Sequence, residues 1–226
     1  MTLRLLRPIL PLALALGLSA CGGSDSYPVN VTVDGLLYDR VVLTDTKSGK
    51  TLTVTPVGTV GATQKLIFPV TLSYGDEYNI IIKEADAATS TPSGQPAHQS
   101  CVLGRNADTA GRLSDITVVV SCSVLAPTVD GDIVMTGVAG AVPTGLTIVN
   151  GSRPAFVALA TSTSYSFTSV TYNTTFSPTI TAQPSAKTQC AFEPTTGVTM
   201  GPGNLSYTGT MGDVEVKVKV ICNTVP

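Results

Sequence analysis

The residues that could do chemistry in this 226-residue chain are few: one histidine, His98, five cysteines and a scatter of acids. Nucleophilic hydrolysis needs a nucleophile, a base and a group to orient the base. His98 is the sole histidine, it stands in a polar stretch between Pro96 and Cys101, and no serine sits in Gly-x-Ser-x-Gly. Such a histidine reads as a solvated loop residue. Asp130-Gly131-Asp132 and the trio Asp34, Asp39 and Asp45 raise calcium. The pattern Asp-x-[Asp/Asn]-x-[Asp/Asn]-Gly is absent, however, and Asp-Gly is first of all a turn signal. No Gly-rich phosphate loop opens a helix, and no acid pair stands out for glycoside cleavage. There is no tryptophan to stack on sugars, although seven tyrosines remain. The reading is no enzyme, no metal and no cofactor.

The cysteines say more. Ahead of Cys21 lie Arg4 and Arg7, an apolar run from Ile9 to Leu18 broken by Pro11 and Gly17, and the small pair Ser19-Ala20. That layout is a secretory signal peptide, and the run is too short for a permanent span of about 20 residues. Leu18-Ser19-Ala20-Cys21-Gly22-Gly23 resembles the lipobox of bacterial lipoproteins. The resemblance implies loss of residues 1–20, acyl chains such as palmitate on Cys21, and a tether over 21–28. More than one chain would hold such an anchor, at about 0.8 kcal/mol per buried CH₂. Gly22 in place of Asp implies onward transport to the outer membrane, facing the periplasm or the cell surface. The partner so implied is the membrane, through lipid on Cys21. Without the first 20 residues, 11 of the 13 basic residues face 15 acidic ones, which gives no support to nucleic-acid binding.

Composition and pattern point to strands. Val, Thr and Ile abound, 21 Gly and 15 Pro punctuate the chain, and no long stretch has a 3.6-residue apolar period. Two stretches of similar length end alike. Ile116, Val118, Val120 and Cys122 share one face of a strand, as do Val214, Val216, Val218, Val220 and Cys222, with Glu215, Lys217 and Lys219 opposite. Both alternations read as half-buried antiparallel strands. Gln95-Pro96 precedes Cys101 as Gln183-Pro184 precedes Cys190. Tyr74-Gly75 aligns with Tyr172-Asn173, and Gly and Asn are the residues that best tolerate positive φ. A repeat of this size is a domain. The division is a β-sandwich module over 29–123, a linker over 124–129 and a second module over 130–226. Four cysteines in an exported chain pair in one of three ways. The repeat favours Cys101–Cys122 and Cys190–Cys222, with crossed pairing or free thiols as the alternatives.

About seven short strands per module, with turns every 8 to 12 residues, argue for an all-β fold of two tandem Ig-like sandwiches after the lipoprotein signal peptide. The pattern resembles a repeat of proteobacterial secreted proteins and lipoproteins. The residues that carry the resemblance are Phe68, Gly75, Tyr78 to Ile82, Gln95-Pro96, Cys101 and Val118 to Cys122. In the second copy they are Phe167, Asn173, Phe176, Gln183-Pro184, Cys190 and Val220 to Cys222. Pro178 departs from the pattern and demotes its strand to an edge or a bulge.

The function expected is a lipid-anchored envelope module with a structural, adhesive or protein-binding role. The alternatives are a small-ligand or glycan receptor and a hydrolase in which His98 meets a nucleophile and a buried carboxylate. The longest irregular stretch, containing Ala85, Pro92, Gln95 and His98, is the candidate contact loop for an envelope protein or surface ligand.

Overall fold

The structure, a computed structural model, describes residues 26–85, 93–111, 115–137 and 143–225. The chain divides into two compact units. One takes the described residues up to Gln95 and Cys101–Ser121; the other takes Pro96–Ser100 and the described residues from Cys122 onward. Pro96–Ser100 and Cys122–Ser123, read in the sequence as part of the first module, and 124–129, read as a linker, thus belong with the second unit.

Strands lying wholly or mostly in the first unit are β1 (Ser26–Asp34), β2 (Val41–Asp45), β3 (Thr51–Val54), β4 (Thr63–Ser73), β5 (Glu77–Ile82), β6 (Gln99–Gly104), β7 (Ala107–Thr109) and β8 (Ile116–Val124). They form two sheets, β4-β1-β8-β6 and β3-β2-β5-β7. Val29, Val31 and Val33 alternate with polar residues, so β1 buries one face. The same face takes Phe68, Val118 and Val120, and the second sheet contributes Val41, Leu43, Val54 and Ile80. This core is mainly aliphatic, with Phe68 and Tyr78 as its buried aromatics.

The second unit contains β9 (Val129–Thr136), β10 (Thr147–Asn150), β11 (Phe156–Val157), β12 (Ser164–Phe167), β13 (Thr175–Phe176), β14 (Pro178–Ala182), β15 (Thr188–Phe192), β16 (Thr199–Met200), β17 (Tyr207–Thr210), β18 (Val216–Lys217) and β19 (Val220–Thr224). A short 3-10 turn spans Pro202–Asn204. The main ladder runs β12-β9-β19-β15, with β18 also on β9, and smaller ladders β11-β10-β14 and β13-β17-β16 complete the unit. Its core is aromatic: Tyr165, Phe167, Phe176, Phe192 and Tyr207 are buried together. The Phe192 and Tyr207 rings meet edge to face at 4.7 Å, a favoured arrangement of their quadrupoles. Pro178 is the first residue of β14, at the end of its ladder, where its missing N–H does least harm.

Both units are Ig-like, all-β and disulfide-bonded. The aligned turns also agree: Gly75 has φ +90° and Asn173 has φ +61°. The direction of the closing strands differs from expectation. β8 runs parallel to β1, from Val29 beside Ile116 to Asp34 beside Ser121. β19 runs parallel to β9, with Val220 beside Ile133, while its other edge meets β15 antiparallel. Alternation reports which face is buried and is silent on the direction of the neighbour. Val214 is 73% exposed, because the pairing with β9 starts only at Val216.

Candidate functional site

The glutamine and the first cysteine of each motif meet in space, once in each unit. Cys190 on β15 lies directly opposite Cys222 on β19. Their Cα atoms are 3.9 Å apart, and the sulfurs are bonded. Such a close antiparallel pair is of the non-hydrogen-bonded kind, so the Cys190 N–H and C=O point away from β19. Gln183 meets them there. The Cys190 N–H donates to Gln183 Oε1 at 2.7 Å, and Gln183 Nε2 donates to the Cys190 carbonyl at 3.0 Å. The first unit repeats this arrangement. The Cys101 N–H donates to Gln95 Oε1 at 2.9 Å, and Gln95 Nε2 donates to the Cys101 carbonyl at 2.9 Å. Cys101 and Cys122 are each in a disulfide. A primary amide presents one donor and one acceptor side by side, as a backbone residue does. Each glutamine therefore stands in for one residue of a neighbouring strand.

His98 is engaged, not simply solvated. It has φ +62°, its ring stacks on Tyr172 at 3.9 Å and 10°, and its carbonyl accepts from the Leu125 N–H at 2.9 Å. Nδ1 lies 2.8 Å from both carboxylate oxygens of Asp213. Since an ionised carboxylate only accepts, Nδ1 carries the proton. The Asp213 side chain is 42% exposed, whereas a hydrolase would bury the carboxylate that orients its base.

A polar groove of about 480 Å³ runs over the outer face of the second unit's main sheet. Asp130 and Asp132 on β9 line it, facing Lys217 and Lys219. Lys219 pairs with Glu193 at 2.9 Å and Lys217 with Glu215 at 3.0 Å. Asp130 Oδ2 accepts a 3.3 Å bond from Thr128, while its Oδ1 is screened from solvent and has no partner. Beneath the groove Tyr165 donates to the Val218 carbonyl at 2.6 Å, so the 2.8 Å bond between the two hydroxyls has Tyr207 as donor. Burial, the largest cause, pushes both phenols above their ordinary range. The Tyr207 hydroxyl and then the Asp130 charge add to it at Tyr165, while at Tyr207 the bond to Tyr165 works against it and the Asp130 charge adds to it. Gly131 permits this: a Cβ there would lie 1.9 Å from the Val218 oxygen.

In the first unit Asp45 is fully buried at the β2 turn. It accepts from the Ser48 hydroxyl at 2.6 Å and from the N–H groups of Lys47, Ser48 and Asn79. Burial alone would raise its carboxyl; these four bonds outweigh burial and hold it below the ordinary value.

Of the expected site residues, Cys21 and Pro92 lie outside the described residues. Ala85 is exposed, Gln95 clamps Cys101, and His98 pairs with Asp213. The base of the expected contact loop is fixed where the Gly94 N–H donates to the Lys83 carbonyl at 2.7 Å. Among the described residues no group of three or more His, Cys, Asp or Glu could hold a metal ion. No described helix is long and apolar enough to cross a membrane.

No protein-family model matches the chain, and no curated protein matches it. Solved structures do. A bacterial adhesin from Mobiluncus mulieris with intramolecular disulfide, isopeptide and ester cross-links is 12% identical. It covers 91% of this chain and 92% of its own, with a TM-score of 0.34. The Bacillus anthracis TIE protein is 14% identical over 88% of this chain and 34% of its own, with a TM-score of 0.41. The minor pilin of the gram-positive pathogen Streptococcus agalactiae is 11% identical over 88% and 97%, with a TM-score of 0.26. At these identities the likeness is one of fold alone.

The resemblance to proteobacterial lipoproteins is corrected here. The matched chains include an adhesin and a pilin, the latter from a gram-positive organism, whose envelope has no outer membrane. The lipoprotein and palmitate assignments, the membrane partner through lipid on Cys21 and the outer-membrane location are withdrawn with it. For the repeat resemblance, the physical reason lies in the motifs. Gln-Pro before Cys and Val-x-Cys at the last strand serve to complete a sheet edge and staple it. A disulfide-bonded sandwich of any lineage has that need.

Proposed function

We propose that the chain is a non-catalytic structural or adhesive module of the cell envelope, built to keep its shape under tension. The observation that carries this reading is the parallel pairing of first and last strands within each unit, β1 with β8 and β9 with β19. Tension applied to the two ends of such a pair slides one strand along the other, so the ladder bonds are loaded together. An antiparallel pair pulled from adjacent ends would open one bond at a time. The Cys190–Cys222 bond, spanning 32 residues, keeps that loop from paying out.

Single-molecule pulling of the full chain by its ends tests the reading. Each unit should part in one abrupt step. The second unit's step should lengthen by about 110 Å after reduction, the span of 32 extended residues. Smooth extension without force peaks, in the oxidised chain, would sink the proposal. So would turnover of ester, peptide or glycoside substrates.

One observation favours a second reading, a receptor for a small polar ligand: the partnerless, solvent-screened Asp130 Oδ1 in a groove of about 480 Å³. Saturation-transfer NMR with neutral and amino sugars checks it, using Asp130→Asn as the control. Signals that survive this substitution would rule the groove out.

A further inference from the structure

Sheet edges are templates on which another chain can pair, and proteins blunt them with charge, proline, bulges or short strands. In the first unit the long edge strand β4 uses three of these devices. It carries Lys65 and Pro69, and its register with β1 slips between Pro28 and Asn30. In the second unit the edge strand β12 is four residues long. The opposite edges are different. β6 reads Gln99-Ser100-Cys101-Val102-Leu103-Gly104 and β15 reads Thr188-Gln189-Cys190-Ala191-Phe192. Neither contains a charge or a proline, and Val102 is 64% exposed. Because both strands are uncharged, a second copy could lie antiparallel on either one without like charges meeting.

We propose that Gln95 and Gln183 are edge guards, closing β6 and β15 against strand addition by a second copy of this chain. Each glutamine occupies both outward backbone groups of the cysteine near the middle of its strand, with all four bonds between 2.7 and 3.0 Å. The prolines that follow, Pro96 and Pro184, bring no N–H of their own to the edge. An incoming strand would have to displace the amide before it could pair. The device occurs twice, in units with different cores, which is what a function of the edge requires and a packing accident would not produce.

The test compares the full chain with Gln183→Ala and Gln183→Glu, by hydrogen exchange at the Cys190 amide and by sedimentation over a range of concentrations. For Gln183→Ala, exchange at Cys190 should rise about tenfold in dilute solution, as for the loss of a backbone-like hydrogen bond. At higher concentration larger species should form, and Cys190 should become protected again within them. Gln183→Glu keeps the acceptor for the Cys190 N–H and places a charge on the edge, so it should sediment as the unsubstituted chain does. If Gln183→Ala exchanges faster yet sediments as the unsubstituted chain does, the guard role is overturned and the clamp is local satisfaction only. Larger species in which Cys190 stays unprotected would overturn it too, because association would then lie elsewhere. Retention of the Cys190–Cys222 bond by mass verifies folding. Should Gln183→Ala not fold, Gln183→Asn, one methylene too short to reach, carries the same two readouts. The Gln95→Ala and Gln95→Glu pair repeats the test on β6.

Discussion

The two units share a frame and differ in what fills it. The first packs valines, leucines and isoleucines around one phenylalanine and one tyrosine, Phe68 and Tyr78. The second packs three phenylalanines and two tyrosines, and it buries a hydrogen-bonded pair of phenols against a strand carbonyl. What repeats is the positive-φ turn at Gly75 and Asn173, the glutamine on the edge cysteine, and the last strand lying parallel to the first. The difference teaches where the constraint lies. A core tolerates any apolar filling of suitable volume. An edge strand offers fixed backbone groups that only a matching donor and acceptor can satisfy.

The comparison breaks most clearly at the aromatic core. Phe192→Ala should destabilise the second unit by about 3–5 kcal/mol and leave the first unchanged, read unit by unit as peptide hydrogen exchange in denaturant. Equal loss in both units would contradict the division. The tyrosine pair comes next. Tyr165→Phe strands both the Val218 carbonyl and the Tyr207 hydroxyl, and should cost about 2–3 kcal/mol. Tyr207→Phe removes only one donor and should cost about 1 kcal/mol. The reverse order would mean that the donors are assigned wrongly.

In the first unit the comparable buried polar group is Asp45, and its signature is pH dependence. Its folded-state carboxyl lies below the ordinary value. The stability it contributes is therefore present above the unfolded value of about 3.9 and is lost as pH falls through the folded one. Acid titration followed by exchange should show the first unit weakening below about pH 4, and Asp45→Asn should remove that component. The smallest effect is at the surface. Lys47 and Glu77 pair at 2.6 Å, but both are more than half exposed, and Lys47→Ala should leave the thermal midpoint unchanged.

Much of the frame was legible in the sequence because its signals are local. Alternation marked β1, β8 and β19, and the Tyr-Gly and Tyr-Asn pairs marked the turns. The rest depends on groups far apart in the chain. His98 and Asp213 are separated by 115 positions and Tyr165 and Tyr207 by 42, and no pattern in either neighbourhood names the partner. The direction of the closing strands escaped because side-chain period is the same in parallel and antiparallel ladders. The Gln-Pro-to-Cys spacing was visible as a motif, yet its task was not. That task requires knowing that the cysteine's backbone faces outward. The lineage drawn from these motifs failed for the same reason: the motifs describe how an edge is completed.

The claim that one edge-completing device underlies both units is tested most directly by native-state hydrogen exchange at the Cys101 and Cys190 amides of the full chain. Both should be protected to a degree comparable with the interior strand amides of Val120 and Val220. Exchange at either cysteine as fast as at the exposed amides of Val60 or Val214 would contradict the account.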